Sequence, residues 1–204
     1  MDKIKVNYLV LAAIFFISFP LFAEVKREKN IGSDSLRITS RGTQPERDFL
    51  SIETNSFTIY YEQDVNLKRV YRKLQGRRFY VDGDSRSSTL SGFDEKIAYR
   101  INLILERVKQ ILGMYPAGVK FDIKIFKDPE TIYDKWLEIS KKKEKVKAFY
   151  VHEYRTVYIS EDTISDSVMA HEMAHVITNF YFIIRPPYHI NDMMAIYVDS
   201  HLED

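Results

Sequence analysis

The stretch Val168-Met169-Ala170-His171-Glu172-Met173-Ala174-His175-Val176-Ile177 decides how the C-terminal part of this 204-residue chain folds. Apolar residues recur all around it and the side-chain oxygens of Ser165, Asp166 and Ser167 precede it, which is typical of a mostly buried helix with a capped N-terminus. On a helix, residues four positions apart lie on one face. The side chains of His171 and His175 are therefore predicted to point at the same place.

The H-E-x-x-H spacing within this helix has a chemical reason. Two imidazoles one turn apart can bind a single metal ion, and Glu172 then flanks the water bound to that ion. A random chain of this composition contains the pattern in roughly one case in a hundred. The alternative is a pair of ordinary core histidines, but two desolvated imidazoles without partners are costly, whereas a metal ion takes both lone pairs. The pattern favours a zinc (Zn2+) site.

A third ligand is needed, because catalytic zinc usually takes three protein ligands and leaves one position for water. The first helix is predicted to continue to Ile184, where two prolines follow and end it, and a second helix is predicted from Ile190. Asp192 falls in the first turn of this second helix. A carboxylate there can serve simply as a partner of the helix dipole. Because it lies beside apolar residues that must pack on the first helix, we predict instead that it binds the metal.

These residues resemble the gluzincin group of zinc peptidases, in which H-E-x-x-H is followed by an acidic third ligand in the pattern E-x-x-A-x-Y. The matching stretch is Asp192-Met193-Met194-Ala195-Ile196-Tyr197, with Asp in place of the usual Glu. The C-terminal part of the chain also looks like an uncharacterised family of gluzincin-like bacterial envelope proteins. That likeness rests on residues 148–151, 157–160, 171–175, 185–187, 195 and 197–199.

The resemblance implies hydrolysis of a peptide or protein substrate by a zinc-activated water, with Glu172 as the general base. A donor must also stabilise the oxyanion of the transition state. Candidates are Tyr188, His189 and Tyr197, although most of the 14 tyrosines will serve ordinary packing. Asn179 and Asp199 are candidates for orienting the histidine ligands, or are plain surface residues.

The amino terminus has the pattern of a secretory signal peptide, with lysines at positions 3 and 5, an apolar run over 6–19 and a small residue at Ala23. We expect cleavage after Ala23, a periplasmic or secreted protein, and no stable membrane span after cleavage. An uncleaved anchor is the alternative, because Leu21 is not ideal near a cleavage site. The sequence contains no cysteine, which excludes a lipoprotein anchor and disulfide bonds.

The charge balance argues against nucleic acid as a partner. The sequence has 30 Lys and Arg residues and 29 Asp and Glu residues. The predicted signal peptide contains two of the basic residues and one of the acidic ones, so the mature chain is neutral. The basic clusters at 77–78 and 141–145 are most simply solvated loops or helix ends.

The remaining sequence predicts a polar, flexible lead-in over 24–47 and one domain over 48–204. Predicted strands are 57–61, 121–126, 147–152 and 156–160; predicted helices are 64–74, capped by Asp64, 94–114 and 129–139; and 83–92 is a Ser/Gly-rich loop. This order indicates an α+β, zincin-like fold, in which a small mixed β-sheet packs on long helices and the H-E-x-x-H helix is followed by the helix with the acidic ligand. The last two strands are predicted to form a hairpin, and the resemblance implies that whichever of them is the edge strand binds substrate backbone by strand addition.

Many gluzincins close the cleft with a larger C-terminal lobe, whereas this chain stops soon after Asp199. We therefore expect a minimal peptidase with an open cleft, or a partner protein that completes the cleft. Two other function classes stay open. One is a non-catalytic, peptidase-like envelope protein that binds metal or a partner, and the other is a structural envelope protein in which the motif is accidental.

Overall fold

The computed structural model of this protein describes residues 49–76 and 90–204. Ten helices and strands follow one another along these residues. They are β1 (Phe49–Glu53), β2 (Phe57–Glu62), α1 (Leu67–Lys73), α2 (Phe93–Leu112), β3 (Phe121–Phe126), α3 (Pro129–Ser140), β4 (Ala148–Val151), β5 (Thr156–Ser160), α4 (Asp166–Tyr181) and α5 (Tyr188–Ser200). The predicted signal peptide (1–23), the lead-in (24–47) and most of the predicted loop (83–92) lie outside the described residues.

The five strands among the described residues form one mixed sheet in the order β1-β2-β3-β5-β4. The central strands β2, β3 and β5 are parallel, whereas β1 and β4 pair antiparallel at the two edges. Parallel strands need long crossover connections, and these contain the helices α2 and α3. The predicted hairpin is confirmed as β4 and β5, and β4 is its edge strand. The protein is thus a mixed α+β fold.

Each face of the sheet has its own apolar core, because successive strand residues point to opposite faces. Ile123 and Ile159 belong to the larger core, between the sheet and the helices α1, α2, α4 and α5. Phe126 and Tyr158 belong to a smaller core on the other face, where Ile132 of α3 covers them. The sheet is therefore covered on both sides, and α4 lies on the side of the larger core.

Most predicted elements agree with the structure to within two residues at each end. The strand β1 was not predicted, because its alternation of apolar and polar residues is weak and its side chains are at most half-buried. Within residues 49–76 and 90–204, every helix is too short or too polar to span a lipid bilayer.

The prediction that Asp64 caps the first helix is wrong. Val65 is buried, and its N–H donates to the carbonyl oxygen of Glu62 at 3.0 Å, so the chain turns before the helix begins. Asn66 is the N-cap instead, and its side chain accepts a hydrogen bond from the N–H of Arg69 at 3.1 Å. Asparagine and aspartate cap helices about equally well, so the burial of Val65 decides between them.

The predicted boundaries between the last two helices are also wrong. α4 ends at Tyr181 rather than Ile184, and Phe182 is extended, with ψ at 128°. The two prolines that follow cannot donate to a helix and disfavour helical backbone just before them. α5 begins at Tyr188, two residues earlier than predicted. Asp192 therefore lies in the second turn of α5, where the helix dipole is a weaker explanation for a carboxylate.

A buried carboxylate joins the C-terminal ends of β3 and β5 to the start of α1. Glu161 is 1% exposed and follows β5 directly. It accepts hydrogen bonds from the backbone N–H of Asn66 at 2.8 Å, from Lys127 at 2.7 Å and from Arg69 at 3.2 Å. Burial opposes ionisation of Glu161, but these three donors outweigh it, so the pKa of this carboxyl is lowered.

We expect Glu161→Gln to lower the free energy of unfolding by about 2 kcal/mol at pH 7, because hydrogen bonds to a charged group are lost. A lowered carboxyl pKa stabilises the fold above the unfolded pKa of 4.5, and this stabilisation disappears as the pH falls through the folded pKa. Urea unfolding of both proteins from pH 3 to pH 7 measures this. An equal difference at pH 7 and pH 3 would contradict the assignment.

Candidate metal centre

The helix α4 presents the predicted metal ligands because its other faces are fixed by packing. Ser165 caps it, with a side chain that accepts from the N–H of Val168 at 3.3 Å. Met169, Met173 and Ile177 are fully buried in the larger core and set the rotation of the helix about its axis. His171, Glu172 and His175 are thereby directed away from the core centre, towards α5 and the edge strand β4.

Three side chains converge at this place. One ligand atom each from His171, His175 and Asp192 lies within 4.8 Å of the other two. The two imidazole rings are 5.0 Å apart, at 82° to one another, and Nε2 of His171 is 3.7 Å from Oδ1 of Asp192. Zinc bonds of about 2.1 Å place tetrahedral ligands about 3.4 Å apart. Small side-chain rotations would therefore bring two nitrogens and one oxygen onto a common ion.

Both imidazoles are held in the neutral form that a metal ion requires. Burial and, to a smaller extent, the neighbouring His171 lower the pKa of His175 to about 4, against the opposing effects of Asn191 and Asp192. Burial also lowers the pKa of His171, although the Asp192 and Asp199 carboxylates oppose this. Nδ1 of His175 is buried and has no hydrogen-bond partner among the described residues. Two neutral imidazoles beside a carboxylate fit the ligand chemistry of zinc.

Glu172 lies beside these ligands without being one of them. Its residue surface is 6% exposed, and burial raises the pKa of its carboxyl to about 8. A hydrogen bond from the backbone of Tyr150 in β4 favours the charged form, whereas the negative charge of Asp192 disfavours it. A carboxyl with a pKa near neutrality, next to three convergent ligands, is typical of an acid–base group.

Asn191 and Thr178 support the site from between the two helices, and the sequence did not predict them. Asn191 is 9% exposed and immediately precedes Asp192. The Thr178 hydroxyl donates to its side-chain oxygen, and also lies 2.9 Å from the carbonyl oxygen of Ala174. This bond joins α5 to α4 one residue away from the candidate ligand. Thr178 follows His175 by three residues and lies on a packed face of α4. A polar residue at such a position was the one sequence feature that could have pointed to it.

A cleft of about 910 Å³ contains the three convergent ligands and Glu172. The edge strand β4 lines one side of it, and α4 and α5 line the other. The Tyr150 hydrogen bond to Glu172 shows that this backbone N–H points away from β5 and into the cleft. An unpaired strand edge therefore borders the candidate metal centre.

The structure brings one of the three candidate donors to the site. Tyr188 lines the cleft, and the pKa of its hydroxyl is raised by burial and by nearby carboxylates, Asp192 foremost. His189 is exposed and does not line the cleft. Tyr197 also lies outside it and packs on the ring of His201, with centroids 4.0 Å apart. The positions of His189 and Tyr197 follow from the rotation of α5 about its axis, which turns these two side chains away from α4.

The two candidates for orienting the histidines both line the cleft. Asn179 donates to the backbone carbonyl oxygen of His175 at 2.7 Å, so it supports the ligand helix rather than the imidazole itself. The charge of Asp199 favours the protonated form of His171, which places its carboxylate near that ring. Asp199 is the better placed of the two to orient a ligand.

Comparisons of the chain with protein-family models, with curated proteins and with solved structures found no match. The likeness to gluzincins therefore stays a prediction from the residues that carry it. Function has to be inferred from the chemistry of the cleft.

The raised pKa of Glu172 predicts a pH effect on the metal-free protein. Stability from a protonated buried carboxyl is fully present below the unfolded pKa of 4.5 and is lost as the pH rises through about 8. In the presence of a metal chelator, the free energy of unfolding of the parent should therefore fall between pH 5.5 and pH 9. That of Glu172→Gln should fall by about 2 kcal/mol less. Urea unfolding across this range measures the difference, and parallel curves would show that Glu172 is not the titrating group.

Proposed function

We propose that this protein is an exported zinc metallopeptidase of the gluzincin type, with a zincin-like catalytic domain, which hydrolyses peptide bonds in the periplasm or outside the cell. The observation that carries the proposal is the convergence of His171, His175 and Asp192 within 4.8 Å beside the buried carboxyl of Glu172. Bound zinc would supply a Lewis acid that polarises a carbonyl and activates a water molecule. The predicted signal peptide supports export.

The proposed role of Glu172 is proton transfer. It lies next to a ligand in sequence, its carboxyl is held by the Tyr150 backbone, and its pKa of about 8 lies close to neutral pH. A zinc ion bound beside it would favour the charged form of this carboxyl, which could then accept a proton from the attacking water and return it to the leaving amine. Tyr188, at the cleft wall, is the proposed donor to the oxyanion of the transition state.

The proposed substrate-binding element is the edge strand β4. Its outer edge borders the cleft, and an extended peptide can add to such an edge by main-chain hydrogen bonds. In recognition of this kind, main-chain hydrogen bonds supply the affinity and side-chain contacts supply the specificity. It suits a peptide or a locally unfolded protein segment, since folded strands do not offer free backbone groups.

A second candidate function is a peptidase-like protein that binds metal or a partner without turnover. It is favoured by the length of Asp192, which is one methylene shorter than the usual glutamate. A shorter carboxylate reaches less far, and the three ligand atoms are spread over up to 4.8 Å rather than the roughly 3.4 Å of a closed zinc site. Zinc binding without hydrolysis would favour this function over the first.

We expect Asp192→Ala to weaken zinc binding on the order of a hundredfold or more, because one of three protein ligands is lost. Asp192→Glu should retain zinc, since the longer side chain still reaches the histidines. The matched control is Asp134→Ala, which removes an exposed carboxylate from α3, outside the cleft. Competition with a chromophoric chelator measures all four affinities. If Asp192→Ala binds zinc as tightly as the parent, the third ligand lies elsewhere.

Hydrolysis of a peptide library tests the general base. Glu172→Gln should keep the fold and the zinc but lose activity by a factor on the order of a hundred or more. His171→Ala should instead lose zinc, activity and thermal stability together, because a metal bound only to the folded state stabilises it. Glu138→Gln, exposed on α3, is the control for the charge change. Activity that survives Glu172→Gln would overturn the mechanism.

A further inference from the structure

The connection between α4 and α5 carries an unusual amount of exposed apolar surface. Ile183 and Ile184 are 103% and 86% exposed, so neither side chain packs on the protein. Tyr181 and Phe182 precede them, 49% and 37% exposed, with ring centroids 5.2 Å apart. These four residues, the apolar tip, form a projection that ends in two aliphatic side chains.

The apolar surface continues along the outer face of α5. Met193 is 63% exposed, Ile196 56% and Ile190 40%, and their spacing of three residues keeps them on one side of the helix. The opposite side of α5 is already used, because Ala195 and Val198 are fully buried against the larger core. α5 is therefore apolar on both sides, although only one side is covered by the described residues.

A basic loop reaches the same cleft as the residues that follow the apolar tip. Residues 141–147 contain five lysines and one glutamate, and the lysines are exposed. Lys147 and Glu144 line the cleft together with Arg185 and Tyr188, which follow the tip. Arg185 lies 3.7 Å from Glu153 and is therefore paired, whereas residues 141–147 carry five positive charges against one negative. The end of the basic loop and the residues that follow the tip thus border the same opening.

Large exposed apolar patches mark surfaces that bind protein or membrane, whereas single exposed residues do not. We propose that the apolar tip, the outer face of α5 and the basic loop together dock on an anionic phospholipid bilayer. The isoleucines of the tip enter the acyl region, Tyr181 lies at the level of the headgroups, and the lysines contact lipid phosphates. The mouth of the cleft then faces the bilayer surface.

A membrane fits this surface better than a second protein. Protein interfaces bury an apolar centre in a complementary partner and are depleted of lysine there. Two isoleucines that project freely would need a deep pocket in such a partner, whereas lipid chains accommodate them without one. Five clustered lysines beside them match the negative charge of anionic lipid. The proposal does not depend on peptidase activity, because no metal ligand takes part in docking.

The sequence offers a clean test, since it has no cysteine. Ile184→Cys and, as the control, Lys68→Cys on the exposed side of α1 are each labelled with the environment-sensitive dye NBD in the full chain. Vesicles of phosphatidylcholine with phosphatidylglycerol are then added, and pure phosphatidylcholine vesicles serve for comparison. The emission at position 184 should shift to the blue and rise roughly twofold or more with anionic vesicles, and less with neutral ones. Position 68 should not respond.

The control position separates docking from anchoring by the apolar amino-terminal run. An anchor at residues 6–19 would hold the chain on the vesicle without moving position 184 into lipid, so equal responses at 184 and 68 overturn the proposal. Lys142→Glu with Lys143→Glu should reduce the response at 184, while zinc affinity stays unchanged. A response that grows with protein concentration in the absence of vesicles would also overturn the proposal, because a second copy would then cover the surface.

Discussion

The packing of α5 against α4 is the constraint on which the candidate site depends. The two histidines belong to one helix and reach the same place by local geometry, whereas the carboxylate that completes the set comes from another. Ala195 and Val198 are fully buried at this contact, and Thr178 donates to Asn191 within it. Small residues allow the two helices to approach, and the hydrogen bond fixes their relative register. Without that contact there would be a histidine pair but no site.

The same contact places ionisable groups of the metal-free cleft in environments that are electrostatically unfavourable. It holds two imidazoles that burial keeps neutral, a carboxyl that burial keeps protonated near neutral pH, and the carboxylate of Asp192. None of these groups is in its most favourable environment. A divalent cation at the point of convergence would improve several of them at once, by accepting the nitrogen lone pairs and by favouring both carboxylates in the charged form. This is the physical reason to regard the cluster as a binding site rather than as core.

Local periodicity predicted what depends on a single element. The helix around His171 and His175 and the strands β3 and β5 follow from spacing and side-chain type, and the structure agrees. Of the three residues that could cap that helix, Ser165 is the one that does so. Sequence could not show which way α5 is rotated, because that is set by long-range packing; this is why His189 and Tyr197 were named as donors although they face away from the cleft. Asn191 was missed for the same reason, since its partner Thr178 lies 13 residues away. The cap at Asn66 depended on the burial of its neighbour Val65.

The edge strand β4 has a consequence for the behaviour of the protein in a concentrated solution. An open strand edge that can accept a substrate can also accept the edge of another copy, and natural proteins limit this hazard by keeping such strands short or placing charge beside them. β4 has only four residues, about 13 Å of backbone, and Lys147 precedes it. A pairing of that length is too small to hold two folded chains together, whereas a flexible segment held by further contacts in the cleft can remain there. The brevity of the strand therefore limits edge-to-edge pairing of two copies along β4.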